Sequence, residues 1–155
     1  MRPIMLRQIL GSGLVLLSLG VSAPPAGATL GEDASSIRAD QARMQGTLQI
    51  TGAAKFSVHE IRLSSGIAVR QYVSPSGMVF AVSWQGPSIP DLQQVLGRYF
   101  DQYSETVRTR GTGSAPGVSQ QTGLVVQSGG HMRAFFGKVY VQQMLPHGVL
   151  VEEIQ

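Results

Sequence analysis

The chain has 155 residues with 12 Lys and Arg against 9 Asp and Glu, a formal charge of +3, and no cysteine. The absence of cysteine excludes disulfides, thiolate metal sites and a cysteine nucleophile together. Its cations are scattered from Arg38 to Lys138 with no clustered basic face, which argues against a nucleic-acid binder.

Residues 1 to 28 have the layout of a secretory leader. Arg2 and Arg7 supply the positive start, Ile9 to Val21 an apolar core, and Pro24-Pro25 precede the small-residue triplet Ala26-Gly27-Ala28. The core is shorter than the roughly 20 apolar residues of a spanning helix and is broken by Gly11, Ser12, Gly13, Ser18 and Gly20. Cleavage before Thr29, with no membrane span afterwards, is therefore the expectation, and the destination is the periplasm or the exterior. There is neither a twin arginine nor a lipid-acceptor cysteine. Arg2 and Arg7 leave with the leader and no acid does, so ten cations face nine acids in residues 29–155, a net +1. That length suits one domain burying about two-thirds of its unfolded surface.

Glu32 to Gln45 reads as a short helix, with acids at its start and Gly46 after its end. Its apolar side is limited to Ala34, Ile37 and Met44. From Lys55 the period changes to that of strands. Lys55–Leu63, Ile67–Ser74 and Met78–Trp84, separated by Ser64-Ser65-Gly66 and Pro75-Ser76-Gly77, predict an antiparallel meander. The third run alternates, with Met78, Phe80, Val82 and Trp84 on one face and Val79, Ala81 and Ser83 on the other. The first changes phase between Phe56/Val58 and Ile61/Leu63, which requires a β-bulge near His59-Glu60 or burial on both faces.

Ser88-Ile89-Pro90-Asp91 announces the main helix, Asp91 to Arg108, with Ser88 as its cap and Pro90 in the first turn. Leu92, Val95, Leu96, Tyr99, Phe100, Tyr103 and Val107 form one apolar stripe. Gly97 interrupts it, and a close helix–sheet approach would explain that residue. Arg110 to Gly123 has no periodicity and almost no apolar content, and is a connector, either disordered or a lid. Two strands follow, Leu124–Gln127 and Met132–Val141, joined by a Ser128-Gly129-Gly130-His131 turn, and Val149–Ile154 is a possible last strand. The expected fold is α+β: an antiparallel sheet of about five strands in order β-β-β-α-β-β, one main helix across one face and a short N-terminal helix.

Chemistry-bearing residues are few. His59 and Glu60 are strand neighbours and point to opposite faces unless a bulge intervenes. His131 sits at a Gly-Gly hairpin tip, with Arg133 two residues on. His131-Met132 and Met144-x-x-His147 are thioether–imidazole pairs of the kind that suits copper, though their spacing is not diagnostic of a metal site. There is no nucleophile elbow and no GxGxxG or P-loop, and hence no cofactor motif. Among the aromatics, Tyr72, Trp84, Phe135 and Phe136 are candidate binding residues. Adjacent strand residues alternate, so one of Phe135 and Phe136 must leave the helix-covered face.

The strings HEIRLSSGIAVRQYVSPSGMVFAVSWQGP, PDLQQVLGRYF and LVVQSGGHMRAFFGKVYVQQMLPHGV, together with the ATLGED junction, resemble an exported bacterial family catalogued as domain of unknown function 2844. The resemblance implies a bacterial periplasmic or secreted protein and supplies no catalytic residues. The sequence thus favours a non-enzymatic binding or accessory protein of the cell envelope, its partner an envelope protein or a small apolar ligand. The alternatives are a small envelope enzyme using His131 or His59, with Arg133, and a homodimer joined through an exposed sheet face.

Overall fold

The computed structural model describes residues 30–110, 117–118 and 122–155. The leader and most of the Arg110–Gly123 connector lie outside the described residues. Helix α1 (Ser36–Met44) is followed by four strands, β1 (Thr47–Gly52), β2 (Ser57–Arg62), β3 (Ala68–Val73) and β4 (Val79–Gly86). Helices α2 (Leu92–Leu96) and α3 (Phe100–Arg110) come next, then the two-residue strand β5 (Gly117–Val118), β6 (Leu124–His131) and β7 (Ala134–Val141). All strands join one antiparallel sheet in the order β1-β2-β3-β4-β7-β6-β5. The α+β expectation therefore holds, with six full strands and one minimal edge strand instead of five. The additional full strand, β1, carries one side chain that is only partly buried among exposed ones, so its hydrophobic signal is faint.

The helices cover one face. Ile61, Val69, Val79, Val82, Trp84, Val126 and Val139 pack there against Leu92, Val95, Leu96 and Ile37, with Tyr99, Phe100, Tyr103 and Val107 at the margin. The main helix is not continuous. Gly97, at φ +46°, ends α2, and a single 3-10 turn over Gly97–Tyr99 leads into α3. Gly97 thus serves a backbone conformation that side chains disfavour, which differs from the close helix–sheet approach expected of it. The cap also differs: Asp91, not Ser88, accepts the amide of Gln94 at 3.1 Å, and Pro90 precedes the cap.

The phase change in β2 comes from burial on both faces. Its register with β1 and β3 is unbroken, Val58 facing one core and Ile61 the other. The bulge lies further on, where Tyr72 opposes Ala81 and the next residue, Val73, opposes Val79. Phe80 is the extra residue, and it joins Tyr72, Ala81, Val125 and Tyr140 in a second core beneath Val149 and Ile154. The simple alternation expected of this strand fails at that point. The C-terminal residues that cover this core are not a strand: Val151–Glu153 is a 3-10 turn. The β6–β7 turn also shifts, because pairing continues through Gly130 and His131 and the turn is Met132-Arg133.

Candidate functional site

Register assigns the helix-free face in rows. Gln49, Glu60, Arg70, Ser83, Lys138 and Gln127 stand side by side on successive strands from β1 to β6. The neighbouring row, Thr51, Val58, Tyr72, Ala81, Tyr140 and Val125, is mostly apolar and partly covered by the C-terminal residues. Strand alternation alone puts these polar side chains together.

The C-terminal segment is held on this face by its main chain. The Gln155 carbonyl oxygen accepts from Tyr72 Oη at 2.6 Å, Ser83 Oγ at 2.6 Å and Arg70 Nη1 at 3.2 Å, while Gln155 N donates to Tyr72 Oη at 2.8 Å. Lys138 Nζ donates to the carbonyls of Val151 at 3.2 Å and Ile154 at 3.1 Å. Lys55 Nζ, from the β1–β2 hairpin, donates to the Gly148 carbonyl.

A cavity lies on each side of that segment. The larger, about 500 Å³, is lined by Gln49, Thr51, Val58, Glu60, Arg62, Arg70, Tyr72, Gln85, Glu153 and Gln155. Its charges balance, two Arg against two Glu, and Glu60 is shared by Arg70 Nε at 2.6 Å and Arg62. The smaller, about 370 Å³, is lined by residues including Trp84, Gln85, Gln127, Phe136, Lys138 and Ile154. Gln85 and Gln155 belong to both.

Of the aromatic candidates, Tyr72 lines the larger cavity, and Trp84 and Phe136 the smaller. Phe136 is 46% exposed. Phe135, one residue earlier, points to the helix side and lines neither. The residues that the sequence reading missed are Gln49, Glu60, Arg62, Arg70 and Gln85. The signal for them was a polar period-two pattern running through consecutive strands, visible only once the strands are aligned.

None of the histidines lines either cavity. His59 is half-buried on the opposite side of β2 from Glu60, with Nε2 3.2 Å from Ser57 Oγ, and burial lowers its pKa. His131 is exposed where β6 enters the turn, next to Met132, which is 87% exposed. Arg133 occupies that turn at φ +67°. Met144 and His147 follow the other end of β7, about 25 Å away along an eight-residue strand. The two thioether–imidazole pairs are therefore not brought together. Among the described residues no three His, Asp or Glu cluster in a way that could hold a metal ion. No helix among them is long and apolar enough to cross a membrane.

The family model described as protein of unknown function (DUF2844) matches residues 26–154. The chain belongs to the DUF2844 family. No curated protein and no solved structure matches it. Membership spans both faces of the sheet and the C-terminal segment, and leaves the activity to be argued from the geometry.

Proposed function

We propose that this DUF2844 protein is a non-enzymatic binding module exported to the cell envelope, and that it recognises its ligand on the helix-free face of the sheet. The observation that carries this reading is the larger cavity. It combines amide side chains, an Arg62–Glu60–Arg70 cluster whose extra positive charge is balanced by Glu153 in the same lining, and one aromatic ring, a set suited to a neutral, polar ligand rich in hydrogen-bonding groups. This lining favours a polar ligand over a small apolar one. Export is supported by the leader-like residues 1–28. The enzyme alternative has less behind it, since neither His59 nor His131 lines this cavity: His59 is on the opposite face of β2 from Glu60, and His131 is at the far end of β6.

Native mass spectrometry of the protein recovered from the envelope tests the proposal. The expected result is a polar adduct that is lost in the double variant Gln49→Ala/Gln85→Ala, with the circular dichroism spectrum unchanged. An adduct equally retained by that variant, or a mature protein found only in the cytoplasm, overturns it.

A further inference from the structure

Strand β1 is a sheet edge of an unusual kind. Natural edges are commonly blunted by charge, proline or a bulge. Thr47–Gly52 carries no charged residue and no proline, and its register with β2 has no shift. Five of its six residues are exposed, including Ile50 at 56%. The opposite edge, β5, is only two residues long.

The free backbone groups can be assigned. Ala53 N donates to the Phe56 carbonyl at 2.9 Å, closing the β1–β2 hairpin. Antiparallel partners alternate between hydrogen-bonded and non-bonded pairs, so Thr51, Gln49 and Thr47 turn their N–H and C=O groups toward β2. Leu48, Ile50 and Gly52 turn theirs outward. This outward set is self-complementary. With Ile50 on a two-fold axis, Leu48 faces Gly52 of the second copy, Ile50 faces Ile50, and Gly52 faces Leu48. Each of these pairs exchanges two N–H···O=C bonds. The side chains fit as well: a Cβ at Gly52 would meet nothing within 4 Å, which leaves room for the opposing Leu48.

We propose that β1 is a dimerisation edge, joining two copies antiparallel about Ile50 into one continuous sheet. An isologous contact of this kind closes and adds no further edge. In this register Gln49 stands beside Thr51 of the second copy on the helix-free face, and both residues line the larger cavity. The cavities of two copies then meet across the axis as one groove. That last consequence rests on the binding reading above; the dimer itself does not.

Sedimentation equilibrium across a concentration series, combined with amide exchange, tests the edge directly. The expected result is a species of twice the chain mass, with the Leu48, Ile50 and Gly52 amides protected more strongly as concentration rises. Ile50→Lys, at an exposed position, is expected to give a folded monomer with an unchanged circular dichroism spectrum and a melting temperature that no longer rises with concentration. A wild-type monomer at about 100 µM, a dimer whose β1 amides exchange freely, or open-ended oligomers would each overturn the proposal. A monomer whose β1 amides become protected only when a second protein is added overturns it in favour of strand addition by that protein. A wild-type dimer that carries no polar adduct refutes the cavity reading alone.

Discussion

The closest contact in the sheet predicts the sharpest effect of a single methyl group. Gly137 on β7 pairs with Trp84 on β4, and the indole occupies the space that a side chain at 137 would enter. A Cβ at residue 137 would sit 2.2 Å from Trp84 Cζ2 and 2.5 Å from Cε2. Ordinary carbon–carbon contact begins near 3.5 Å, so ring or strand must move by about 1.3 Å in Gly137→Ala. Trp84 is 3% exposed and packed edge-on against Tyr103 at 6.1 Å, which restrains the ring on the helix side. Overpacking of well-filled cores costs about 1–3 kcal/mol, and two rigid elements in contact place this site at the upper end. About 3 kcal/mol corresponds to a fall in Tm of roughly 10 °C for a domain of this size.

Trp84 is the sole tryptophan, so its emission reports the same site that the mutation perturbs. Gly137→Ala is expected to shift the native emission to the red as well as lower Tm. Gly52→Ala, where a Cβ meets nothing within 4 Å, is the matched control and is expected to change stability by less than about 0.5 kcal/mol. A Gly137→Ala protein with wild-type Tm and emission refutes the reasoning, because it requires ring or strand to move by more than an ångström without cost.

Three further outcomes follow from the polar contacts. Asp40 is fully buried and accepts from Gln71 Nε2 at 2.8 Å and Gln94 Nε2 at 3.1 Å, so Asp40→Ala strands the buried Gln71 amide and is expected to cost about 1–3 kcal/mol in urea denaturation. Tyr72→Phe removes one of the three donors to the Gln155 carbonyl and the acceptor of the Gln155 N–H. It is expected to cost about 1–2 kcal/mol and to speed amide exchange over residues 149–155 with little effect on α1. For His59, burial holds the folded-state pKa below its unfolded value near 6.5. The unfolded chain then binds more protons between those two values, and stability declines as pH falls below about 6.5. His59→Gln is expected to flatten that part of the Tm–pH curve, and an unchanged slope would exclude the histidine as its source.

The helix side of the fold was legible because its signals are local and strong. Leu92, Val95 and Leu96 recur at helical spacing, and the Gly- and Pro-punctuated runs mark β2, β3 and β4 without reference to anything distant. The errors share a physical origin, since each depends on what a residue meets across the sheet. Phe80 sits on the face opposite to the one its alternation indicates because a bulge adds a residue to β4, and no local pattern marks the insertion. The β6–β7 turn moved to Met132-Arg133 because pairing with β7 carries Gly129 and Gly130 into the strand, despite their turn propensity. Val149–Ile154 has strand-like composition, yet its carbonyls at Val151 and Ile154 are held by Lys138, and the adjoining Gln155 by Tyr72 and Ser83, from three other strands. The cavity residues were missed for the same reason: Gln49, Glu60, Arg70 and Gln85 are unremarkable one at a time and become a set only through register.

Packing also explains why the helix-free face is the place to look for function. A sheet covered on both sides buries apolar rows on both, as β3 does with Val69 on one side and Tyr72 on the other. Beside the second core, however, the row from Gln49 to Gln127 stays polar on every strand. Filling that row with aliphatic residues would enlarge the core at no cost to the register, so stability alone does not account for its composition. Part of the row does structural work: Arg70, Ser83 and Lys138 hold the C-terminal main chain. Gln49 of this row, and Gln85 two residues beyond Ser83 on the same face of β4, make no such contact to the C-terminal segment, yet both face the larger cavity. Substituting these two amides therefore separates the roles. If the row exists to seat the C-terminal segment, Gln49→Ala/Gln85→Ala leaves every property intact. If it exists to bind, the same variant keeps its fold and loses its ligand.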